Sequence, residues 1–154
     1  MIMRRCLLFI FITFLLMACD PKLFTVDFTN NAGYQLIGMF DIGGNENNTA
    51  KIILSQGDGY FVLAESLGSL ESTFYAMFPN GIMQLKLYNS EILVCNSEYN
   101  DELDKCLLQE YEISFDDLEK LGWHLYYPPT PEMKDIKMWP PYEEVIKQHD
   151  KRTE

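Results

Sequence analysis

The chain has 154 residues with 23 acidic against 12 basic side chains, a formal charge of −11, and 14% aromatic residues. That is one domain's worth of chain. The acidic balance repels phosphate backbones and excludes nucleic acid as a natural partner, and the aromatic content excludes wholesale disorder.

The chain opens on Arg4-Arg5 and a run from Cys6 to Leu16 that is apolar apart from Thr13. A basic start, a short apolar segment and small residues before a cut make a secretory signal peptide. The run is shorter than the roughly 20 apolar residues a spanning helix needs. Leu16-Met17-Ala18-Cys19 then resembles the lipobox of bacterial lipoproteins. The resemblance implies cleavage after Ala18, a diacylated Cys19 that bears the lipid (palmitate included), and a membrane partner reached through that lipid. The organisation expected is a signal over 1–18, an anchor and short linker over 19–22, a β domain over 23–128 and a Pro-rich C-terminal strap over 129–154. Removing the signal takes away Arg4 and Arg5 and none of the acids, so the formal charge moves from −11 to −13.

Leu23 to Thr29 alternates, with Phe24, Val26 and Phe28 on one face and Thr25, Asp27 and Thr29 on the other, the pattern of a half-buried strand. Asn30 to Gly33 is turn chemistry. Tyr34 to Ile42 reads as a second strand, and Gly43 to Asn48 as a polar loop. Ala50–Leu54 and Tyr60–Ala64 are apolar runs joined by Ser55-Gln56-Gly57-Asp58-Gly59, which predicts a hairpin with turn glycines. Ser72–Phe78 is a further strand candidate, stopped by Pro79-Asn80-Gly81. Ile82–Tyr88, a short Ile92–Cys95 run and Leu107–Ile113 follow as strands. Ser114 to Gly122 has a cap residue, acids in the first turn, Lys120 in the last and a glycine stop, and predicts a helix. Trp123–Tyr127 resumes as a strand. The fold class expected is mainly β, an antiparallel sandwich with one short helix near the C-terminal end and an extended Pro-rich tail. Phe24, Val26, Phe28, Leu36, Phe40, Leu85, Leu87, Leu118, Leu121 and Trp123 are its inward candidates. Five of the seven prolines stand from Pro128 on, and that tail is expected to strap the domain through Trp139 and Tyr142, with a short amphipathic segment at Glu143–His149.

Cys95 and Cys106 are left once the signal and lipid have used Cys6 and Cys19. In an oxidising compartment a disulfide closing the loop between them is the natural expectation, with two buried free thiols as the alternative. Neither has a CxxC partner, and His124 and His149 are far apart, so no metal site is expected. The loop Asn96–Lys105 carries oxygen side chains, but their spacing does not match an EF-hand, and a solvated acidic loop is the simpler account.

The stretch from Glu110 to Pro129, with Ser114, Asp117-Leu118-Glu119-Lys120-Leu121, Trp123 and Tyr127-Pro128, resembles the C-terminal signature of small uncharacterised lipoproteins of the Bacteroidota type. The resemblance implies an envelope location and a mostly β fold, and assigns no activity. It covers the latter half of the domain; an early Tyr-Pro-Asp segment of that group is missing, and the tail is longer.

No catalytic set stands out. Asp116-Asp117 and Glu143-Glu144 are helical neighbours pointing about 100° apart, and the first pair serves the helix dipole. His124 is expected to face outward with Tyr126 if Trp123 and Leu125 face the core. Trp123, Tyr126, Tyr127, Trp139 and Tyr142 are a candidate ligand surface, suited to glycan stacking or docking of an envelope protein; core packing and tail anchoring are the preferred use of the same residues. The chain therefore reads as a non-enzymatic envelope lipoprotein without cofactor, a binding or interaction module favoured at the outer membrane. Alternatives are an accessory or inhibitory subunit whose acidic face docks a basic protein, and, further off, a carboxylate-based glycosidase.

Overall fold

The computed structural model describes residues 22–44, 48–66, 68–91 and 106–153. Cys19 and the signal, Cys95, and the loop Asn96–Lys105 lie outside the described residues. The chain folds as a mainly β sandwich of two sheets. The first holds β1 (Lys22–Asn30), β4 (Gly57–Ser66) and β7 (His124–Tyr127) in the order β4-β1-β7. The second holds β2 (Leu36–Asp41), β3 (Thr49–Leu54), β5 (Ile82–Asn89), β6 (Leu107–Ser114) and β8 (Lys137–Trp139) in the order β3-β2-β5-β6-β8. Every pairing is antiparallel except β1 with β7, which run parallel.

Alternation delivers the core. Phe24, Val26 and Phe28 of β1 meet Leu36 and Phe40 of β2 and Leu85 and Leu87 of β5, all buried, while Leu121 and Trp123 are half-buried against the same cluster. Gly38 of β2 sits where a Cβ would stand 2.7 Å from Cγ1 of Ile52, so the missing side chain leaves room for the Ile52 side chain as it is placed. Between the sheets, the fully buried Tyr111 of β6 donates its hydroxyl to the Tyr126 carbonyl of β7 at 3.0 Å.

Two helices close one end. α1 (Leu70–Met77) occupies the segment expected to be a strand. Ser69 caps it by accepting from the Ser72 amide at 3.1 Å, and Phe74 and Met77, three apart, bury on one face. Aromatic density at Ser72–Phe78 mimics a strand; the helical spacing and the cap decide otherwise. α2 (Phe115–Lys120) is the expected helix, held by a capping box between Ser114 and Asp117. After it, Gly122 and Trp123 both take left-handed φ, 61° and 65°. For Trp123 that conformation costs on the order of 1 kcal/mol. Its ring is set against Phe24 and Phe115 at centroid distances of 5.1 and 5.3 Å, and this packing offsets the strain.

Two further expectations are corrected. β3 and β4 are not a hairpin: the chain leaves the five-stranded sheet at Ser55-Gln56, and β4 pairs with β1 instead. Gly57, at φ 88°, turns that corner, and Asp58 and Gly59 belong to the strand rather than to a turn. The C-terminal strap is built into the fold. β8 adds to the five-stranded sheet, a short 3-10 turn (Pro131–Met133) precedes it, and α3 (Tyr142–Thr153) follows it. Its anchors are Met133, Ile136 and Val145, all buried, while Trp139 is 60% exposed and Tyr142 half-buried. Gln109, fully buried in β6, donates its amide to the Pro140 carbonyl at 3.0 Å and ties the strap down. Lys134 adds an ion pair to Glu143 at 3.3 Å; Glu143's own backbone N–H and that ammonium hold its carboxyl below the usual range.

Two outcomes are expected. Asn30 is fully buried, donates to the carbonyls of Tyr34 and Leu54, and accepts from the Ala32 amide. Asn30→Ala should cost about 2–4 kcal/mol in urea unfolding, since it strands three backbone groups; a loss under about 1 kcal/mol would contradict this account. Burial, with Tyr127 nearby adding in the same direction, raises the Tyr111 phenol well above its ordinary 10.0. The folded chain therefore holds this proton more tightly than the unfolded one, so its contribution is full below pH about 10 and is lost as pH rises further. Tyr111→Phe should cost about 1 kcal/mol at neutral pH and flatten the alkaline loss of stability; equal alkaline slopes in both proteins would refute the assignment.

Candidate functional site

The outer face of the three-stranded sheet gathers the most chemistry. Inward Val26 and Phe28 force their neighbours Asp27 and Thr29 outward. On one side β4 places Tyr60 opposite Asp27 and Asp58 opposite Thr29. On the other, β7 places His124 beside Asp27 and Tyr126 beside Thr29. The result is a grid of two rows, Tyr60–Asp27–His124 and Asp58–Thr29–Tyr126. Val62 and Thr25 pair just below it, and Leu23 and Glu65 below them. As expected, His124 and Tyr126 share this outer face; their rings stack at 4.3 Å and 6°. Tyr60 is 69% exposed.

A hydrogen-bond chain runs across the three strands. Thr29 Oγ1 donates to Asp58 Oδ1 at 2.6 Å and lies 2.7 Å from His124 Nε2. A hydroxyl has one proton to give, and here the carboxylate takes it. His124 Nε2 must therefore be the donor to Thr29, which fixes the tautomer of the neutral ring. Thr29 is 9% exposed, and its hydroxyl is committed on both sides. The arrangement thus orients Asp58 and His124 rather than presenting Thr29 as a nucleophile.

The five aromatics weighed as one possible ligand surface do not come together. Trp123 packs between Phe24 and Phe115, and Tyr127 is buried. Tyr126 lies on the grid, whereas Trp139 stands opposite Glu110 on the five-stranded sheet and Tyr142 begins α3. Cys106 is a free thiol, 4% exposed, packed with Ile37 and Tyr88, where it acts as a small apolar side chain; Cys95, its expected disulfide partner, lies outside the described residues. Among the described residues no three His, Cys, Asp or Glu are grouped to hold a metal ion, and no helix is long and apolar enough to cross a membrane. A hollow of about 290 Å³ on the outer face of the five-stranded sheet is lined by Met39, Asp41, Thr49, Gln84, Lys86 and Tyr88. Its carboxylate is already engaged, Asp41 accepting from Thr49 at 2.6 Å.

Sequence reasoning placed Asp27 and Thr29 on an outward face, yet it did not assemble the site. Tyr60 and Asp58 join only through the β1–β4 pairing, and His124 only through a contact spanning 95 positions. Compared with protein-family models, with curated proteins and with solved structures, the chain matches none.

The tautomer is open to direct measurement. Nitrogen-15 NMR of the neutral His124 ring should show the proton on Nε2, and Thr29→Val should release that preference. A ring protonated on Nδ1 in the parent protein would contradict the network.

Proposed function

We propose that this chain is a lipid-tethered protein of the bacterial envelope that binds a glycan or an envelope protein without turnover. The observation that carries the reading is the open grid on the three-stranded sheet, where exposed Tyr60 stands beside Asp27 and the His124–Tyr126 stack. Flat aromatics beside polar groups suit recognition, and a sheet face is a rigid platform for them. The lipobox-like Leu16-Met17-Ala18-Cys19 supports the tether, with the outer membrane favoured. β1 starts at Lys22, three residues after Cys19. The grid lies at positions 27 and 29 of the same strand, roughly 16–23 Å further along it. The grid thus lies toward the end of β1 away from the tether.

Two variants of the full chain test this. Cys19→Ala should move the protein from the membrane to the soluble fraction, because diacylation is what holds such a protein firmly; retention after a salt wash would defeat the lipid reading. Tyr60→Ala should abolish retention of the detergent-solubilised protein on immobilised envelope glycan or envelope extract without altering its circular dichroism. Unchanged retention would remove the grid from the reading.

A further inference from the structure

We propose that the outer face of the three-stranded sheet takes an arginine or lysine side chain from an extended basic segment of a partner protein. The proposal rests on the assignment of that face as the binding surface and names the class of partner.

The grid carries two carboxylates, Asp27 and Asp58, and no lysine or arginine. Its other register positions hold Tyr60, Thr29, His124 and Tyr126. The ion pairs formed among the described residues lie elsewhere, on Asp117, Glu112 and Glu143. Thr29 engages one oxygen of Asp58 and fixes where that carboxylate stands. A guanidinium matches what remains: its planar fork bonds a carboxylate in two places while its flat surface stacks on a tyrosine ring. Exposed Tyr60 directly across from Asp27 offers that pair of contacts. A cation held over the ring also gains from the ring's quadrupole. A neutral sugar could stack there too, but its hydroxyls would leave the two carboxylate charges unmatched.

The shape of the patch points to a chain rather than a small ion. Small-ligand sites are concave, and this is a sheet face. Below Tyr60 the same face continues with exposed Val62 and Leu23, a strip of two apolar side chains bordered by Thr25 and Glu65, which a lone cation would not use. An extended segment covers both, its basic side chain on the grid and its apolar one on the strip. The chain's −11 formal charge would steer such a segment in, and that attraction weakens with salt.

The test uses the full-length protein in a neutral detergent and three probes. One is an extended peptide alternating arginine with valine, the second is the same peptide with citrulline in place of arginine, and the third is a neutral oligosaccharide from envelope extract. Binding is read by NMR shifts of Tyr60 and His124 and by titration. The arginine peptide should shift both signals, bind more weakly as salt rises, and exceed the citrulline peptide by about tenfold or more in affinity. Tyr60→Ala and Asp27→Asn should each weaken it by about tenfold, with unchanged circular dichroism, whereas Glu119→Gln on α2 should leave it intact. Equal binding of the citrulline peptide, or an equal loss from Glu119→Gln, would overturn recognition of a cation at this site. Shifts from the oligosaccharide with an inert arginine peptide would overturn the class of partner and keep the binding face. No shift from any probe would overturn the face itself.

Discussion

One buried amide holds the corner on which the sandwich turns. Asn30 ends β1 and reaches three backbone groups at once: the Tyr34 carbonyl, the Leu54 carbonyl and the Ala32 amide. The first and third shape the connection from the three-stranded to the five-stranded sheet. The second fastens the last residue of β3, so the chain leaves that sheet at a defined point. From there Ser55 and Gln56 carry it back, and Gly57 pairs with Asn30 itself. The register of β4 on β1 therefore follows from the corner, and with it the meeting of Tyr60 with Asp27 and of Asp58 with Thr29. A slip of one residue would turn both outer side chains into the core.

The other half of the grid depends on a different tie. β7 reaches β1 as its only parallel neighbour, after α2 and the left-handed pair Gly122-Trp123 reverse the chain. The Trp123 amide closes on the Leu118 carbonyl at 2.8 Å, and its ring drops into the aromatic cluster formed with Phe24, Phe74 and Phe115. Tyr111 then fixes β7 from the opposite sheet through the Tyr126 carbonyl. Inward contacts thus set the outward positions of His124 and Tyr126.

Legibility in the sequence followed the range of the physics. Alternation is local, so β1, β5 and β6 could be read, as could α2 from its cap, its acids and its glycine. α1 was obscured because Phe74, Tyr75 and Phe78 favour strands as residues; Ser69 and the spacing of Phe74 and Met77 were the signal against it. The hairpin expectation failed for another reason. Gly57 and Gly59 carry turn propensity, and nothing local says that β3 and β4 end in different sheets. Aromatic residues near the C-terminus looked like one surface because they are close in sequence, whereas Trp123 turns inward and Trp139 rides an edge strand of the other sheet. Thr29 shows the same limit at the site. Its outward position was legible, but its partners Asp58 and His124 come from opposite flanks of β1.

The polar chain across the grid bears on what the proposed binding face offers a partner. Reactive hydroxyls need a base free to take their proton. Thr29 instead donates a hydrogen bond to Asp58 and accepts one from His124. All three side chains lose freedom in the bargain, which is useful when rigid placement of a carboxylate and a ring is the object. Asp27 remains apart from that chain, on the row shared with Tyr60 and His124, and contributes charge where the network contributes order. On the proposed binding reading, Asp58 held by Thr29 and Asp27 across the strand both neighbour exposed Tyr60, the geometry that a planar cation on a partner would meet.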